Sequence, residues 1–222
     1  MDRERWRRVR DEALDFVLGS VCAGCAEPGV ELCAACAVAL RPDPVRRRLD
    51  DGTPIVAALR FEGIPARVVR AMKDGRTALL RPLVPALTAA VSLAADADRI
   101  DAAVPIPTSR AAFLRRGVRI PELVAGRTGL AVLRPLAVAR RVADQRGLSA
   151  AERRRNAAGS IRARRRGEGR AVLLVDDVAT TGATLSEGVR ALRGAGFLVP
   201  GCVVLAGTPA PSRHRADTQD FH

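Results

Sequence analysis

Aromatic residues are scarce in this sequence: they make up 3% of its 222 residues, and none of them is tyrosine. Proteins that bind single-stranded nucleic acid stack its bases on aromatic side chains, which contributes ~1–3 kcal/mol per base. The scarcity therefore argues against a dedicated reader of single strands. Histidine is equally rare, and both copies, His214 and His222, lie in a tail that we predict to be disordered. We expect neither of them to act as a catalyst or a metal ligand.

A secretory signal and a membrane-spanning run are also missing. The first 20 residues include acids and lack a continuous apolar core, and we find no apolar run long enough to cross a bilayer. With 48% hydrophobic residues, the sequence predicts a soluble, globular, cytoplasmic protein without membrane insertion. An apolar stripe near the start predicts a helix that packs on its own domain, and a surface helix for a membrane or a partner is the alternative. The stripe consists of Trp6, Val9, Ala13, Phe16 and Val17.

Acidic residues are outnumbered, 24 against 37 lysines and arginines, which gives a formal net charge of +13. Such a charge favours acidic partners: phosphates, nucleic acid or another protein. Nearly all of the positive charge is arginine in an alanine-rich chain, however, and GC-rich coding bias produces the same composition. We therefore predict that the runs Arg46–Arg48, Arg153–Arg155 and Arg164–Arg166 are solvated faces rather than binding patches.

Apolar segments that alternate with helical ones predict the fold. From residue 101 onward, strands that are apolar throughout are separated by helices, which is typical of a parallel sheet covered on both faces. We predict an α/β fold with a small module in residues 1–48, a main domain in 49–207 and a tail in 208–222. A long polar segment, 139–169, is predicted to include an exposed loop. The predicted strands are 54–61, 102–107, 133–139, 171–177 and 197–206, and the predicted helices are 64–76, 79–95, 120–129 and 182–196.

Two adjacent acids and a run of small hydroxyl residues follow the apolar strand that begins at residue 171. In a parallel sheet, ligands bind outside the carboxyl ends of the strands, which is where Asp176 and Asp177 fall. The next residues lead into a helix, and their small size lets backbone N–H groups and the helix N-terminus converge on one anion. The segment predicts a monophosphate site, and a capped turn is the alternative. Its residues are Ala179, Thr180, Thr181, Gly182, Ala183 and Thr184.

Two common phosphate-binding motifs are absent. No G-x-x-x-x-G-K-[ST] motif brings a lysine to a β- or γ-phosphate, and no G-x-G-x-x-G motif follows a strand. The two acids before the loop suit a different ligand. They would accept hydrogen bonds from vicinal ribose hydroxyls, or hold Mg²⁺ through water, about one sugar's length from the phosphate.

Four of the five cysteines form two C-x-x-C pairs around a short turn that contains Pro28 and Gly29. The pairs are Cys22 with Cys25 and Cys33 with Cys36. This spacing predicts a tetrahedral four-thiolate site, for which zinc is the best metal and iron the usual competitor. Because no ligand position is left over, we expect a structural role, and four unliganded thiols are the alternative. Cys202, alone in an apolar strand, is predicted to be buried.

The segment "VLLVDDVATTGATL", 172–185, resembles the binding signature for phosphoribosyl pyrophosphate in type I phosphoribosyltransferases. Further segments resemble one branch, the ComF family of competence-associated phosphoribosyltransferase-like proteins, and occur in that family's order. They are "AMKDGR", "VPIP" with Arg110, "RRG", "DQRGLSAAERRRN" and the N-terminal cysteine pairs. The resemblance covers nearly the whole chain up to Gly207.

The resemblance implies a site for phosphoribosyl pyrophosphate and Mg²⁺. Asp176 and Asp177 would be the catalytic acids, which hold the ribose hydroxyls and the Mg²⁺ shell, and residues 179–184 would hold the 5-phosphate. The turn after "VPIP" and nearby arginines would hold the pyrophosphate. These residues are Thr108, Ser109, Arg110, Arg116 and Arg153.

The implied activity is that of a phosphoribosyltransferase, a glycosyltransferase that moves a pentosyl group to a nitrogenous acceptor. The acceptor is not predicted, because Val118, Arg119 and Ile120 stand where relatives commonly have Phe-Asn-Gln, and Ser109 stands where a histidine is common. The alternative is a non-catalytic protein that senses the donor, or one that handles single-stranded DNA with a competence-machinery protein during DNA uptake. The sequence leaves open whether the chain is an enzyme.

Overall fold

The computed structural model describes residues 20–94, 99–139 and 158–208. The predicted N-terminal helix, Arg153 and the tail beyond Thr208 lie outside these residues. The described elements, in chain order, are α1 Ala34–Val38, β1 Val45–Arg48, β2 Pro54–Arg60, α2 Gly63–Lys73, a 3₁₀ turn Thr77–Leu79, α3 Leu80–Ala94, β3 Ala102–Pro105, α4 Arg110–Arg116, α5 Ile120–Ala125, β4 Leu136–Val138, β5 Ile161–Ala163, β6 Ala171–Ala179, α6 Ala183–Gly194 and β7 Leu198–Gly207.

A mostly parallel five-stranded sheet, in the order β1-β2-β7-β6-β3, forms the centre of the described chain. Strands β2, β7, β6 and β3 run parallel, and only β1 is antiparallel to its neighbour. The register aligns Ala179 of β6 with Gly207 of β7, and Gly207 with Arg60 of β2. The carboxyl ends of these three strands therefore meet at one edge. The predicted α/β class with a parallel sheet is confirmed.

Helices cover both faces of the sheet because its inner strands are apolar on both sides. Along β6, Leu173 and Val175 face the core formed with α2, α3 and α5, whereas Val172 and Leu174 face the core formed with α6. Helix α6 approaches closely at Gly188, where a Cβ atom would lie 2.7 Å from Ile106 Cδ1. The strand and its helix are thus held in a fixed relation, which matters because the candidate site lies between them.

Helix α3 lies within the predicted helix 79–95, but its segment is apolar enough to count as a candidate membrane span, which the sequence analysis did not predict. Together with its preceding turn, Thr77–Ala94 has a mean hydropathy of 1.5 over 18 residues and is long enough to cross a membrane by length and composition. It nevertheless packs Leu83 and Leu87 fully buried against the sheet. A core helix of a soluble protein shows the same pattern, so the segment is weak evidence for a membrane span.

Several elements differ from the prediction. Strand β4 is shorter than the predicted 133–139 and pairs with β5 in a separate antiparallel hairpin rather than in the main sheet. Strand β5 itself was not predicted. Strand β1, Val45–Arg48, adds to the main sheet and ends at the predicted boundary, residue 48. The division into 1–48, 49–207 and 208–222 stays a prediction.

The hairpin of β4 and β5 is held against α6 by a buried acid. The Ile161 backbone N–H donates to Glu187 Oε1 at 3.3 Å, and Arg190 Nη2 donates to the Ile161 carbonyl at 3.1 Å. Burial raises the pKa of Glu187, but hydrogen bonds from Arg190 and the backbone outweigh that effect and lower the pKa below its usual range. Residues 140–157, which connect the two strands, lie outside the described residues. The described ends of this connection are therefore fixed beside α6.

Candidate functional site

Asp176 and Asp177 lie in β6 near the edge where the parallel strands end. Asp176 is aligned with Val204 of β7, and Ala179 closes the strand opposite Gly207. Both aspartates are buried, at 8% relative exposure each. Because they are consecutive strand residues, their side chains leave opposite faces of the sheet. The two acids therefore have different surroundings.

Asp177 is paired with Lys73, the last residue of α2. Lys73 Nζ lies 3.1 Å from Asp177 Oδ1, and both side chains are mostly shielded from water. Lys73 belongs to the "AMKDGR" segment, but its role was missed by sequence reasoning. A compositional signal was available, because Lys73 is the only lysine in the sequence.

Asp176 accepts a hydrogen bond from the Asp177 backbone N–H at 2.8 Å. Burial and the neighbouring charge of Asp177 raise its pKa well above the usual range, and the Asp177 N–H and Lys73 offset this only in part. A carboxyl group in this state holds a proton more tightly than an exposed one and ionises when a cation or hydrogen-bond donor arrives. Such perturbed acids are typical of functional sites.

A tight loop connects β6 to α6 at the same edge. Gly182 has φ +77°, and a Cβ atom there would lie 2.8 Å from Leu49 Cδ2, so only glycine fits without strain. Helix α6 begins at the next residue, Ala183, without a hydrogen bond from an N-cap side chain. Thr180 and Thr184 are exposed, and Thr181 Oγ1 accepts weakly from the Ala183 N–H at 3.4 Å. The loop therefore presents hydroxyls and the first amides of a 12-residue helix at its open side.

The back of this loop is held by Arg47 of β1. Arg47 Nη1 donates to the Thr180 carbonyl at 2.7 Å, to the Thr208 carbonyl at 2.9 Å and to Thr208 Oγ1 at 3.1 Å. The prediction that the run Arg46–Arg48 is a solvated face is therefore wrong for Arg47, which is half-buried. Arg46 and Arg48 are exposed, as are all residues of the run Arg164–Arg166.

The turn after β3 lies at the same edge, because Pro105 is aligned with Val175 and the Ile106 N–H donates to the Val175 carbonyl. Thr108 Oγ1 is buried and has no hydrogen-bond partner within the described chain. Ser109 accepts from the Ala112 N–H at 3.2 Å and so caps α4. In the described residues, no hydrogen bond or ion pair joins Arg110 or Arg116 to the aspartates or the loop.

A large cavity among the described residues lies elsewhere. It measures about 830 Å³ and opens at the amino ends of β6 and β7, beside Ala171 and Leu198. Ligands of parallel α/β sheets bind at the carboxyl ends of strands, so size alone does not make this cavity the site. The acids, the loop and the unpaired Thr108 hydroxyl all lie at the opposite edge.

The four predicted metal ligands come together in space. The Sγ atoms of Cys22, Cys25, Cys33 and Cys36 all lie within 4.8 Å of one another, and the Cys25 and Cys33 sulfurs are 3.7 Å apart. A zinc ion with ~2.3 Å Zn–S bonds requires S···S edges of about 3.8 Å in a tetrahedron. The donor set and its spacing therefore fit zinc. Gly24 permits this packing, since a Cβ atom there would lie 2.5 Å from Cys36 Sγ.

The thiols of this cluster differ in acidity. Burial raises the pKa of Cys22, but backbone N–H groups of Cys33, Cys25 and Gly24 outweigh it and lower the pKa to about 6. Burial, followed by hydrogen bonding among the neighbouring thiols, raises the pKa of Cys36 to about 12. A cation at the centre would favour the thiolate of every member. The prediction that Cys202 is buried is confirmed.

The cysteine cluster is attached to the main domain through α2 and the turn after it. Gly24 lies against Ile64 in the first turn of α2, and Ala23 and Leu32 pack against the main core. Arg76, three residues after Lys73, donates to the Glu31 carbonyl at 2.9 Å. The segment that contains the cysteines thus contacts α2 at its first turn and contacts Arg76 just after the helix ends at Lys73.

Residues 112–220 match the family model described as phosphoribosyl transferase domain. The match supports a type I phosphoribosyltransferase domain over these residues, just under half of the chain. The match includes β6, the loop and α6, but not β1, β2 or β3. No curated protein matches the chain significantly. The match supports the resemblance at the level of the domain and does not confirm membership of the ComF family.

Proposed function

We propose that the protein binds phosphoribosyl pyrophosphate with Mg²⁺ at this edge and transfers the phosphoribosyl group to a nitrogenous acceptor. One observation carries the proposal: within the matched phosphoribosyltransferase domain, two buried acids lie near the end of a strand whose glycine-containing loop opens onto the N-terminus of α6. A phosphate at the loop and a ribose beside the acids would together correspond to the sugar-phosphate half of the donor. This arrangement fits the donor better than a free phosphate.

In this proposal each group at the edge has a part of the donor to bind. The loop residues 179–184 bind the 5-phosphate through backbone amides and threonine hydroxyls. Asp176 and Asp177 accept hydrogen bonds from the ribose hydroxyls and contribute to the Mg²⁺ shell. Lys73 pairs with Asp177 at 3.1 Å, and its flexible ammonium would be within the same group of residues to contact the pyrophosphate if bound Mg²⁺ neutralised that carboxylate.

The pyrophosphate end of the donor falls to the turn after β3. The unpaired, buried Thr108 hydroxyl supports this assignment, because an orphaned polar atom costs about 1–3 kcal/mol unless a ligand satisfies it. Arg110 and Arg116 lie on α4, directly after this turn, and we assign them to the pyrophosphate together with Ser109. Arg153, outside the described residues, remains part of the same prediction.

The chemistry that these residues perform is charge stabilisation rather than covalent catalysis. Loss of pyrophosphate leaves positive charge on the ribose, and carboxylates beside the sugar stabilise that cation. Bound Mg²⁺ would supply compensation for the leaving group's negative charge. The test is to incubate the protein with donor, Mg²⁺ and candidate bases. Base-dependent pyrophosphate release supports transfer, and donor binding without release supports a donor sensor.

We also propose that the cysteine cluster holds a structural zinc ion. The support is the fit of the four sulfurs to a tetrahedral S₄ site, with no position left for a substrate. Because the cluster contacts α2, a metal ion that holds the cluster together would also help to fix the position of Lys73 at the end of that helix. Free thiols in such a site are typical of a reducing compartment, which is why we propose a cytoplasmic location.

The ComF assignment and a role in DNA uptake form the second proposal. Exposed Arg46 and Arg48 on an edge strand, with the net charge of +13, favour contact with a phosphate polymer. Single-stranded DNA would then bind along β1, beside rather than in the donor site. The two functions are compatible in one protein. Measuring DNA binding at low and at high salt tests the DNA proposal independently of donor binding.

A further inference from the structure

One peptide group of the loop is fixed from outside the matched domain. The Thr180 carbonyl accepts from Arg47 Nη1 at 2.7 Å and from Thr208 Oγ1 at 3.1 Å. Arg47 also donates to Thr208 Oγ1 at 3.1 Å, so the three residues form a closed hydrogen-bonded set. The carbonyl oxygen of Thr180 is therefore held toward β1, at the back of the loop.

The direction of this carbonyl determines where the next amide points. The Thr180 C=O and the Thr181 N–H belong to one planar trans peptide, in which the two bonds point in opposite directions. A carbonyl held toward Arg47 therefore turns the Thr181 N–H to the open side, where α6 begins. If the peptide rotated, its carbonyl oxygen would face an incoming anion and the N–H donor would be lost. The orientation of this one peptide therefore determines whether the loop attracts or repels an anion at that position.

We propose that Arg47 is a positioning residue that holds the Thr180–Thr181 peptide so that the Thr181 N–H donates to the sugar phosphate. The inference rests on the proposed function, since it concerns the 5-phosphate end of the same donor. Arg47 touches the loop's carbonyl and not the ligand, so its effect passes through the backbone. Its cationic guanidinium adds positive potential behind the anion.

The neighbouring arginines show why Arg47 alone has this role. Side chains alternate along β1, so Arg46 and Arg48 are exposed while Arg47 is half-buried. Arg48 donates to the Gly52 carbonyl, away from the loop. Arg46 thus has the same charge, strand and chain neighbourhood but no contact with the loop within the described residues. It is a matched control for loss of charge.

The loop has support that does not depend on Arg47. The Thr208 N–H donates to the Ala179 carbonyl at 3.1 Å, and the β6–β7 pairing continues to Ala179 and Gly207. A variant without the guanidinium is therefore expected to keep the strand and the start of α6. What it loses is the fixed direction of a single peptide. The expected defect is in anion binding rather than in folding.

The test measures binding of ribose 5-phosphate and of the Mg²⁺ complex of phosphoribosyl pyrophosphate by calorimetry, with thermal unfolding as a control. Arg47→Gln is expected to weaken both ligands about 10- to 100-fold, the range for loss of a charged hydrogen bond. Arg46→Gln is expected to change affinity less than about threefold, since it removes only a distant, screened charge. Arg47→Lys, which keeps the charge and one donor, is expected to lie between them.

A spectroscopic signature distinguishes positioning from general support. In the wild type, titration with ribose 5-phosphate is expected to shift the ¹⁵N–¹H resonance of Thr181, and in Arg47→Gln this shift is expected to vanish. Thr208→Val removes the second donor to the same carbonyl and serves as an independent variant if Arg47→Gln does not fold. It is expected to weaken ribose 5-phosphate while leaving the fold intact.

The outcomes separate the two proposals. If the wild type binds and Arg47→Gln matches Arg46→Gln in affinity and in the Thr181 shift, Arg47 does not position the loop. If Thr208→Val also binds as the wild type does, the carbonyl has no role. If the wild type binds neither ligand, the proposed function itself is wrong. Selective loss in Arg47→Gln, with partial recovery in Arg47→Lys, supports the inference.

Discussion

Lys73 and Asp177 form an ion pair, with 3.1 Å between Nζ and Oδ1, that joins the end of α2 to β6. The sequence has 37 basic residues and a single lysine, and this lysine lies beside the two acids of the candidate site. A compact ammonium on a flexible stem can move between a carboxylate and a ligand phosphate more easily than a planar guanidinium. In the proposed function, the pair would therefore link the charge balance of the free protein to binding of the donor.

Replacing Lys73 with glutamine is expected to destabilise the protein at neutral pH. The change leaves Asp176 and Asp177 adjacent without their cation, at a cost of about 1–3 kcal/mol, and each kcal/mol lowers the melting temperature by ~2–4 °C in a domain of this size. Thermal unfolding at pH 7 checks the effect. Arg67→Gln, an exposed basic residue of the same helix, is the control. Equal melting temperatures for both variants at pH 7 would show that the Lys73–Asp177 ion pair does not stabilise the fold.

Asp176→Asn is expected to stabilise the fold and to weaken binding of the donor. The pKa of Asp176 is raised in the folded state by burial and by Asp177, so folding is disfavoured as pH rises from the unfolded pKa of about 3.9 toward the folded one. Asparagine has no such penalty. The difference in melting temperature should be absent below about pH 4 and should grow above it. A variant less stable than the wild type at pH 8 would contradict the direction of the pKa shift.

One zinc ion per chain is expected by metal analysis of the purified protein. Cys25→Ser is expected to lose the metal and to lower the melting temperature, because Cys25 is an exposed member of the cluster and its loss leaves three thiolates. Cys202→Ala, which removes the cysteine outside the cluster, is expected to keep the metal. A metal-free wild type that is fully folded would refute the zinc assignment.

DNA binding is expected to be weak and dominated by phosphate contacts. With few aromatics to stack bases, affinity for a single strand should fall steeply between about 50 and 200 mM salt. Anisotropy titration at the two concentrations measures this, and Arg46→Gln with Arg48→Gln should reduce the salt dependence. Absence of binding even at low salt removes the DNA proposal. Binding that persists at high salt would show that the bases themselves are recognised.

Local patterns predicted the centre of the site but not its surroundings. The apolar strand, the two acids and the small loop residues are contiguous, so β6, the loop and the start of α6 follow from periodicity and residue type. Arg47 and Lys73 act on residues 133 and 104 positions away, and no local pattern reports such contacts. The arginine-rich composition also gave no reason to single out Arg47, because it stands in a run whose other two members, Arg46 and Arg48, are exposed as predicted. Alternation along a strand places Asp176 and Asp177 on opposite faces, and that was available from the sequence.

Short elements escaped prediction for a different reason. Strand β5 has three residues, Ile161–Ala163, of which only Ile161 is buried, so it shows no period. Helix α4 buries none of its residues and depends on the Ser109 cap and on Gly117, which ends it at φ +70°. The cysteine cluster, by contrast, was predictable in full, because the two C-x-x-C pairs and the turn between them specify their own geometry.

The most direct measurement is calorimetric titration of phosphoribosyl pyrophosphate with Mg²⁺ into the wild type, the Asp176→Asn/Asp177→Asn variant and an Asp74→Asn control. Asp74 is an exposed acid immediately after Lys73, so its variant tests loss of charge without loss of the strand-end acids. The account predicts saturable binding by the wild type and the control, and none by the double variant. Unchanged affinity in the double variant would contradict it, because the ribose would then be held somewhere else.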